Sequence, residues 1–373
     1  MKLMTILGTR PDLIKMSRIL PVLDECFEHV FVHTGQNYDW ELNGIFFKEL
    51  GIRQPDDFLA CPGKTLAETV ANILVRTDEM LEKHKPDAVL YYGDTNSIMG
   101  CYAAKRRKIP IFHMEAGNRS FDPRVPEETN RKIIDHLADV NMCNSEHARR
   151  YLLAEGLPPD RTFKTGSPMM EVLLNYLPKI KNSAILETLK LKQGEYFVVS
   201  LHREENVDNQ WNLTKLRSEL NALVDKHNMR AIFSCHPRTR KKLGGGDHPR
   251  HLDTRIEVMK PMGFFDYVYL QMNALCTVSD SGSIWEEASI LAFPAVTIRQ
   301  AHERPEGVDV GAVLMSGVSN LCDAVDIILK REEAIGMTTL IPDYDVSNVS
   351  WKVANIIQSY TDYVNRVAWR KSL

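Results

Sequence analysis

Short runs rich in β-branched and aromatic residues alternate with helix-length connections, and this alternation occurs twice along the chain. The runs are LMTILG, HVFVHTG, AVLYYGD, IPIFHMEAG and DVNMCNS in the first half, and YFVVSLHR, RAIFSCHP, YVYLQMN, CTVSDSG and PAVTIR in the second. Strands separated by helical connections build βαβ units with parallel sheets. The sequence therefore predicts an α/β fold of two doubly wound, Rossmann-like domains. If the domains face each other, the carboxyl ends of both sheets, where such folds bind ligands, meet along one cleft.

The segment at about residues 170–195 separates the two series, and its pattern is mostly helical and polar. At 373 residues, the chain is long enough for two hydrophobic cores. We expect an N-terminal domain at 1–170 and a C-terminal domain at 171–350. The last segment, 351–373, has a helical pattern and is expected to pack back on the first domain.

The composition argues against several kinds of partner. A net charge of −3 at pH 7 provides no basic field for sequence-independent nucleic-acid binding. No apolar run approaches the roughly 20 residues of a membrane span, and the apolar stretch at 1–7 is too short for a signal peptide. The seven cysteines are scattered without a CxxC pair, which favours reduced thiols, a cytoplasmic location and no metal site.

The first predicted strand runs directly into a Gly8-Thr9-Arg10-Pro11 turn. Gly8 suits the tight turn and Pro11 suits the start of a helix, so Arg10 lies at a helix N-terminus with Lys15 about one turn later. This arrangement favours an anion. The alternatives are that Arg10 is a surface cap residue and that Lys15 lies on a solvated face. The dinucleotide pattern GxGxxG is absent at this turn, which disfavours NAD.

Acidic residues follow the ends of successive predicted strands. Asp94 follows one strand, Glu115 follows the next, and Glu127 and Glu128 begin a helix that also carries Arg131. Acids at the carboxyl ends of parallel strands are poorly placed for core packing and well placed for chemistry. Each acid alone could instead cap the following helix. Three in consecutive units favour an active site in the first domain.

The second half supplies cationic and hydroxyl side chains at equivalent strand ends. They are His202 and Arg203, His236 and Arg238, and Ser281, Gly282 and Ser283 before a helix with Glu286 and Glu287. A small-residue loop that enters a helix offers N–H groups to a diphosphate, and a glutamate one turn later can accept the ribose hydroxyls. An ordinary βα turn with a capping serine is the alternative. A further charged segment, for which an exposed charge cluster is the alternative, contains Arg299, Glu303, Arg304 and Glu306.

The motifs GTRPDLIKM, GDT, HMEAGNRS, PEETNR, SLHREEN, SDSGSIWEEA and ERPEG occur in a characteristic order. Over nearly its whole length the chain resembles the non-hydrolysing UDP-N-acetylglucosamine 2-epimerase family. The resemblance implies a GT-B fold, a UDP-linked 2-acetamido sugar bound between the domains, and inversion at C2 without a redox cofactor. The residues implied around the sugar and phosphates are Arg10, Lys15, Asp94, Glu115, Glu127, Arg131 and His202. Those implied to hold the nucleotide are His236, Ser281, Gly282, Ser283, Glu287 and Arg304.

Three segments resemble one branch of this family. They are GQNYDWELN, GNRSFDPRVPEETNRK and SEHARRYL, which resemble enzymes that convert UDP-2-acetamido-2,6-dideoxy-L-talose to UDP-N-acetyl-L-fucosamine for capsule or O-antigen polysaccharide. The QNYDWELN segment also departs from the QHREMLDQ pattern that contacts an activating UDP-N-acetylglucosamine in regulated members, so no such activation is expected. The alternatives are a UDP-N-acetylglucosamine/UDP-N-acetylmannosamine 2-epimerase, a retaining GT-B glycosyltransferase and a nucleotide-sugar sensor. A homodimer is expected.

Inversion at C2 explains the types of residue that the resemblance implies. The C2 proton becomes acidic as the bond between C1 and UDP breaks, so elimination yields a 2-acetamidoglycal and UDP, and re-addition restores the sugar nucleotide. One carboxylate then removes the proton from C2 and another delivers a proton to the opposite face. Arg10, Lys15 and His202 are expected to stabilise charge on the departing diphosphate.

Overall fold

The structure is a computed structural model that describes residues 1–35, 47–201, 209–235, 237–243, 251–336 and 339–371. The chain separates into two compact units. The first comprises Met1–Val172 together with Asp343–Leu373, and the second comprises Leu173–Pro342.

A parallel sheet forms the centre of the first unit. Its strands, among the described residues, are β1 (Lys2–Leu7), β2 (Glu28–His33), β3 (Asp57–Phe58), β4 (Ala88–Tyr92), β5 (Ile111–Met114), β6 (Val140–Cys143) and β7 (Thr162–Lys164). They lie in the order β3-β2-β1-β4-β5-β6-β7, and every neighbouring pair is parallel. The strand order reverses between β1 and β4. Doubly wound sheets bind ligands beyond the carboxyl ends at this point.

Helices cover the sheet of the first unit. They are α1 (Arg10–Met16), α2 (Ile19–Cys26), α3 (Leu66–His84), α4 (Cys101–Arg106), α5 (Pro126–Leu137), α6 (Glu146–Ala154), the start of α7 (Met169–Lys181) and, after the second unit, α15 (Val349–Val367). Short 3-10 helices lie at Asn96–Gly100, Pro159–Arg161 and Pro342–Tyr344. The strands β4, β5 and β6 are buried throughout, as expected for a sheet covered on both faces.

The chain returns to the first unit at Asp343, before the start of the segment expected at 351–373. The Asp343 carboxylate pairs with Lys164 at 2.6 Å and accepts a hydrogen bond from the backbone N–H of Glu146 at 3.1 Å. These contacts attach the chain before α15 begins. The helix α15 then lies against α2, with Val353 and Ile357 on its buried face.

A second parallel sheet forms the centre of the second unit. Its strands, as far as the structure describes them, are β8 (Tyr196–Leu201), β9 (Arg230–Cys235), β10 (Ile256–Met259), β11 (Cys276–Ser279), β12 (Ala295–Thr297) and β13 (Leu314–Met315). They lie in the order β10-β9-β8-β11-β12-β13, again all parallel. The helices are the remainder of α7, α8 (Ile185–Leu189), α9 (Gln210–His227), α10 (Pro237–Lys242), α11 (Phe264–Asn273), α12 (Ile284–Leu291), α13 (Pro305–Asp309) and α14 (Leu321–Ile335).

The core of the second unit forms where helices lie on this sheet. On α9, Leu213, Leu216, Leu220 and Leu223 are buried at spacings of three and four residues, the pattern of one helical face. They belong to the same cluster as Phe233 of β9. Across the described residues of both units, no helix is both long and apolar enough to cross a membrane.

The predicted α/β class with two Rossmann-like domains is confirmed, but one predicted strand is wrong. The run YVYLQMN at residues 267–273 is helical and belongs to α11. Although its composition is typical of a strand, α11 buries Phe264, Val268, Leu270 and Gln271. The spacings of four and three between Phe264, Val268 and Gln271 place those three on one face of a helix. The strand that does precede α11 is β10, which the sequence did not predict.

Candidate active site

The turn between β1 and α1 presents Arg10 as the first residue of the helix. The carboxylate of Asp12 accepts hydrogen bonds from the backbone N–H groups of Gly8 (3.3 Å) and Thr9 (3.0 Å). An acid in the first turn of a helix also interacts favourably with the helix dipole. Asp12 therefore closes the turn and fixes the position from which the half-buried Arg10 extends.

Asp12 also connects this turn to the one that follows β4. Burial raises the pKa of the Asp12 carboxyl from 3.8 to about 7, hydrogen bonds from Thr9 and Gly8 lower it in part, and the charge of Asp94 raises it further. The hydroxyl of Thr95 lies 3.5 Å from the same carboxyl oxygen. The two turns that carry Arg10 and Asp94 thus meet at one buried carboxyl group.

We expect Asp12→Asn to change how the free energy of unfolding depends on pH. Because the folded pKa of about 7 exceeds the unfolded value of 3.8, the stabilisation from this group is complete below pH 3.8 and is lost as the pH rises through 7. The neutral asparagine keeps an acceptor for the turn N–H groups and has no such loss. Between pH 5 and 8, the variant should therefore gain roughly 2–3 kcal/mol relative to the wild type.

Urea unfolding of both proteins at several pH values measures this difference. His33 acts in the opposite direction, because burial lowers its pKa to about 4. It is present in both proteins, so its contribution cancels in the comparison. Parallel stability curves for the two proteins would show that Asp12 does not titrate in this range.

Glu115 follows β5 directly, in a left-handed backbone conformation with φ of +62°. One carboxylate oxygen, Oε2, accepts hydrogen bonds from Lys15 Nζ at 2.6 Å, the Tyr92 hydroxyl at 2.7 Å and Asn144 Nδ2 at 3.2 Å. The side chains of Lys15 and Glu115 are 9% and 12% exposed, so water screens their charges only weakly. Three donors on one oxygen favour the ionised carboxylate and hold it in one orientation.

Asp94 lies in the turn after β4. Its carboxylate accepts a hydrogen bond from Arg131 Nε at 2.7 Å, and its backbone carbonyl accepts one from Asn130 Nδ2 at 2.8 Å. Both partners belong to α5. The turn that carries Asp94 is thus held against α5 by its backbone as well as by its side chain.

The helix α5 begins with two glutamates that have different surroundings. Glu128 is buried and accepts hydrogen bonds from the backbone N–H groups of Ser120 and Phe121, and from Arg131 Nη1 at 2.9 Å. Arg131 therefore lies between the carboxylates of Asp94 and Glu128. Glu127 is half-buried in the same first turn. Glu128 therefore supports the fold at this turn, and Glu127 lies beside it at the start of α5.

These contacts place two carboxylates at neighbouring strand ends, each paired with its own cation. β4 and β5 are adjacent, with Tyr92 opposite Met114, and the N–H of Gly93 donates to the carbonyl of Met114 at 3.1 Å. Asp94 follows the end of β4 by two residues, and Glu115 follows the end of β5 directly. A pair of ionised carboxylates beside cations can exchange protons with a bound substrate and stabilise a bound anion. The first unit therefore contains the elements of an acid–base site.

In the second unit, the loop Ser281-Gly282-Ser283 leads from β11 into α12. The hydroxyls of Ser281 and Ser283 lie 3.0 Å apart, and the Ser283 hydroxyl donates to Glu287 Oε1 at 2.8 Å. Gln271 Nε2 donates to the other carboxylate oxygen of Glu287 at 3.0 Å. The buried Glu287 carboxylate is thus oriented from both sides and can accept hydroxyl hydrogen bonds from a ligand at this loop.

The charged segment after β12 is not an exposed cluster, so that alternative is wrong. Arg299, Glu303, Arg304 and Glu306 are all buried. Arg299 and Glu303 form a two-bond ion pair at 2.8 and 2.7 Å. Arg304 precedes α13 and lies 3.8 Å from the Glu286 carboxylate. Buried charges are retained in proteins when they are paired, as Arg299 and Glu303 are.

Two of the predicted site residues, His202 and His236, lie outside the described residues. Of the others, the structure brings Lys15 to Glu115 and Arg131 to Asp94, and it places Ser281, Ser283 and Glu287 in one hydrogen-bonded group. No cluster of three or more His, Cys, Asp or Glu side chains suited to a metal ion occurs within the described ranges.

The sequence interpretation missed several residues that hold the site together, namely Asp12, Tyr92, Asn144 and Gln271. Asn144 follows β6 directly, so a search for all polar residues at strand ends, rather than for acids alone, would have found it. Asp12 occupies the third helical position after Thr9, where an acid commonly returns a hydrogen bond to the start of the helix. No sequence signal marks Gln271.

A family model described as UDP-N-acetylglucosamine 2-epimerase matches residues 23–358. The chain belongs to the UDP-N-acetylglucosamine 2-epimerase family. Members of this family are carbohydrate isomerases, and this chain is an enzyme of that class.

Individual members of the UDP-N-acetylglucosamine 2-epimerase family agree with this assignment. The UDP-N-acetylglucosamine 2-epimerase of Methanocaldococcus jannaschii is 36% identical over 89% of this chain and 93% of its own length. A crystal structure of an M. jannaschii UDP-GlcNAc 2-epimerase, in complex with UDP-GlcNAc and UDP, has a TM-score of 0.88 at 32% identity over 96% of this chain and 100% of its own. A structure of UDP-N-acetylglucosamine 2-epimerase from Rickettsia bellii has a TM-score of 0.92 at 50% identity over 100% of both chains.

The UDP-N-acetylglucosamine 2-epimerase family also includes a relative named for another sugar. The UDP-2,3-diacetamido-2,3-dideoxy-D-glucuronate 2-epimerase of Pseudomonas aeruginosa is 33% identical over 86% of this chain and 89% of its own length. Its identity to this chain is close to the 36% of the M. jannaschii protein. Relatives at this level of identity are therefore named for the same reaction, epimerisation at C2, but for different sugars.

Proposed function

We propose that this enzyme inverts C2 of a UDP-linked 2-acetamido sugar by eliminating UDP and adding it back. The observation that carries the proposal is the pair of carboxylates, Asp94 and Glu115, at the ends of two adjacent strands, each within 2.7 Å of a cationic side chain. Inversion requires that a proton leave one face of C2 and that another arrive on the opposite face. Two separately oriented carboxylates meet that requirement.

In the first step, a carboxylate removes the C2 proton while the C1–O bond breaks and its electron pair leaves with UDP, which yields a 2-acetamidoglycal. In the second step, UDP attacks C1 and a second acid protonates C2 on the other face. Asp94, Glu115 and Glu127 are the proposed acids and bases. Arg10, Lys15, Arg131 and His202 are proposed to stabilise the charge of the diphosphate as it leaves and returns.

The second unit is proposed to bind the nucleotide. Glu287, oriented by Ser283 and Gln271, is proposed to accept the two hydroxyl groups of the ribose. The loop Ser281-Gly282-Ser283 enters α12 and offers N–H and hydroxyl groups to the diphosphate. Arg304 and His236 complete the proposed nucleotide site.

For the sugar, we propose UDP-2-acetamido-2,6-dideoxy-L-talose, with UDP-N-acetyl-L-fucosamine as the product. The support is the resemblance of three sequence segments to that branch of the family. The names of the M. jannaschii and R. bellii relatives favour UDP-N-acetylglucosamine as the substrate instead. We further propose that the enzyme acts as a cytoplasmic homodimer that supplies capsule or O-antigen synthesis.

Incubation with each UDP-sugar in D2O, followed by NMR, tests the reaction and the sugar together. The L-talose derivative should yield a product with deuterium at C2, because the C2 proton exchanges with solvent through the carboxylate. UDP-N-acetylglucosamine should react little or not at all, because its C6 hydroxyl would lose hydrogen bonds to water in a pocket that fits a methyl group. The methyl group gains about 0.8 kcal/mol by burial.

Reactions without enzyme provide the control for spontaneous exchange. A product that retains its original C2 hydrogen would exclude the elimination mechanism. Comparable turnover of UDP-N-acetylglucosamine, or activation by it, would assign the enzyme to the alternative branch and leave the mechanism intact.

A further inference from the structure

Beneath the proposed catalytic carboxylates lies a buried ionic group that no step of the reaction uses. It consists of His113 on β5, Arg119 in the following loop and Asp135 on α5, and it is called here the His113 cluster. His113 Nδ1 lies 2.9 Å from Asp135 Oδ1, and Arg119 Nη1 donates to Asp135 Oδ2 at 2.7 Å. All three side chains are at most 2% exposed. Glu155 pairs with the remaining side of Arg119, with both bonds at 2.8 Å.

Both ring nitrogens of His113 face acceptors. Nδ1 faces the Asp135 carboxylate, and Nε2 lies 2.8 Å from the backbone carbonyl of Gly93, which has no hydrogen to donate. Burial raises the pKa of Asp135, but the hydrogen bond and charge of His113 and the contacts with Arg119 outweigh it and hold that pKa below its usual value. Asp135 also accepts from Arg119 and from the Gly117 N–H, and the Gly93 carbonyl can only accept, so the geometry fits a His113 ring that donates from both nitrogens.

The cluster holds the two turns that carry Asp94 and Glu115. Gly93, which accepts from His113, has φ of +69° and directly precedes Asp94. Gly117, two residues after Glu115, donates its backbone N–H to both oxygens of Asp135 at 3.3 and 3.2 Å. A single buried group thus fixes one backbone atom beside each proposed catalytic carboxylate.

We propose that His113 is a positioning residue, which holds the Asp94 turn through the Gly93 carbonyl while Asp135 holds the Glu115 turn through the Gly117 N–H. This inference rests on the proposed function, since it assigns Asp94 and Glu115 to the reaction. A buried ion pair is often no more stabilising than apolar residues of the same size. The His113 cluster instead contributes directional hydrogen bonds, which fix two turns that apolar side chains would leave free to shift.

Two conservative variants separate this role from a general contribution to stability. In His113→Gln, the amide nitrogen can occupy the position of Nε2 and donate to Gly93, whereas the contact with Asp135 is lost. In His113→Asn, the shorter amide can occupy the position of Nδ1 and donate to Asp135, whereas the contact with Gly93 is lost. Both variants lose the same charge. His84→Gln, the same substitution at a histidine that contacts Asp57 at the β3 edge of the same sheet, is the control.

We expect kcat of His113→Asn to be at least roughly 10-fold lower than that of His113→Gln, because a shift of about 1 Å in a reacting group costs up to about 100-fold. UDP affinity should be unchanged in both, and His84→Gln should retain the wild-type kcat. Equal kcat values for the two variants, or a lower value for the glutamine variant, would overturn the proposal.

NMR of the wild-type protein with 15N-labelled histidine tests the cluster without substrate. The His113 resonances are identified as those missing from the spectrum of His113→Gln. If that variant does not fold, they are identified by the slow exchange of their ring protons with solvent. Two protonated ring nitrogens are expected, and one bare nitrogen would overturn the assignment whatever the kinetics. A wild-type protein with the doubly protonated ring that epimerises no UDP-sugar would instead refute the proposed function.

Discussion

Asp94→Asn is expected to lower kcat by roughly 100-fold or more, while UDP binds with nearly unchanged affinity. Asparagine has the shape of aspartate but cannot accept the C2 proton. The local structure should survive, because Asn130 still donates to the backbone carbonyl at position 94 and Arg131 keeps its ion pair with Glu128. Steady-state kinetics and calorimetric titration with UDP measure the two effects separately.

Asp122→Asn provides the matched control for this prediction. Asp122 lies in the loop before α5, and its carboxylate pairs with the exposed Arg124, so the same chemical change is made a short distance from the proposed site. Its kcat should remain within about twofold of the wild type. If Asp94→Asn weakened UDP binding as much as it reduced turnover, Asp94 would be a binding residue rather than a proton-transfer residue.

The strands of both sheets could be predicted where a run of apolar residues is buried, as in β4 and the first four residues of β8. The short strands β3 and β13 contain two residues each and have no periodicity from which to predict them. The run at 267–273 shows the opposite error. Its Val, Tyr and Leu residues are typical of a strand, but the side chains buried by α11 follow a helical spacing that becomes clear only when Phe264 is included.

The location of the candidate site could also be predicted, because the carboxyl ends of parallel strands meet at one edge of a sheet. The pairing of its charged side chains could not be predicted. Lys15 and Glu115 are 100 residues apart in the sequence, and their contact depends on β1, β4 and β5 lying side by side. That Arg131 pairs with Glu128 depends likewise on which way the first turn of α5 faces.

The backbone conformation of the site was equally inaccessible to sequence reasoning. Glu115 has φ of +62°, a region in which residues other than glycine are uncommon. Such conformations persist only where the surroundings over-determine them. Here the surroundings are the three donors on the Glu115 carboxylate and the Gly117 N–H contacts with Asp135. The strained turn and the buried cluster below it are thus two parts of one arrangement.

Gly117→Ala is expected to lower the thermal unfolding midpoint by roughly 10–20 °C, equivalent to roughly 3–6 kcal/mol in a unit of this size. Gly117 has φ of +81°, which strains any L side chain. A Cβ atom there would also lie 2.3 Å from the carbonyl oxygen of Ala148 in α6, a backbone atom that cannot turn away. The backbone strain and the steric overlap both destabilise the folded variant. A shift of the turn that relieved the overlap would also break the Gly117 contact with Asp135.

Gly156→Ala separates these two costs. Gly156 has a similar φ of +86°, but a Cβ atom at this position meets nothing within 4 Å. The variant therefore carries the conformational strain alone, and its midpoint should fall by only about 2–6 °C. Circular dichroism melts of the two variants and the wild type measure the difference. Equal losses would mean that strain alone accounts for Gly117 and that α6 moves aside freely, whereas a much larger loss at Gly117 shows that α6 holds the Glu115 turn in place.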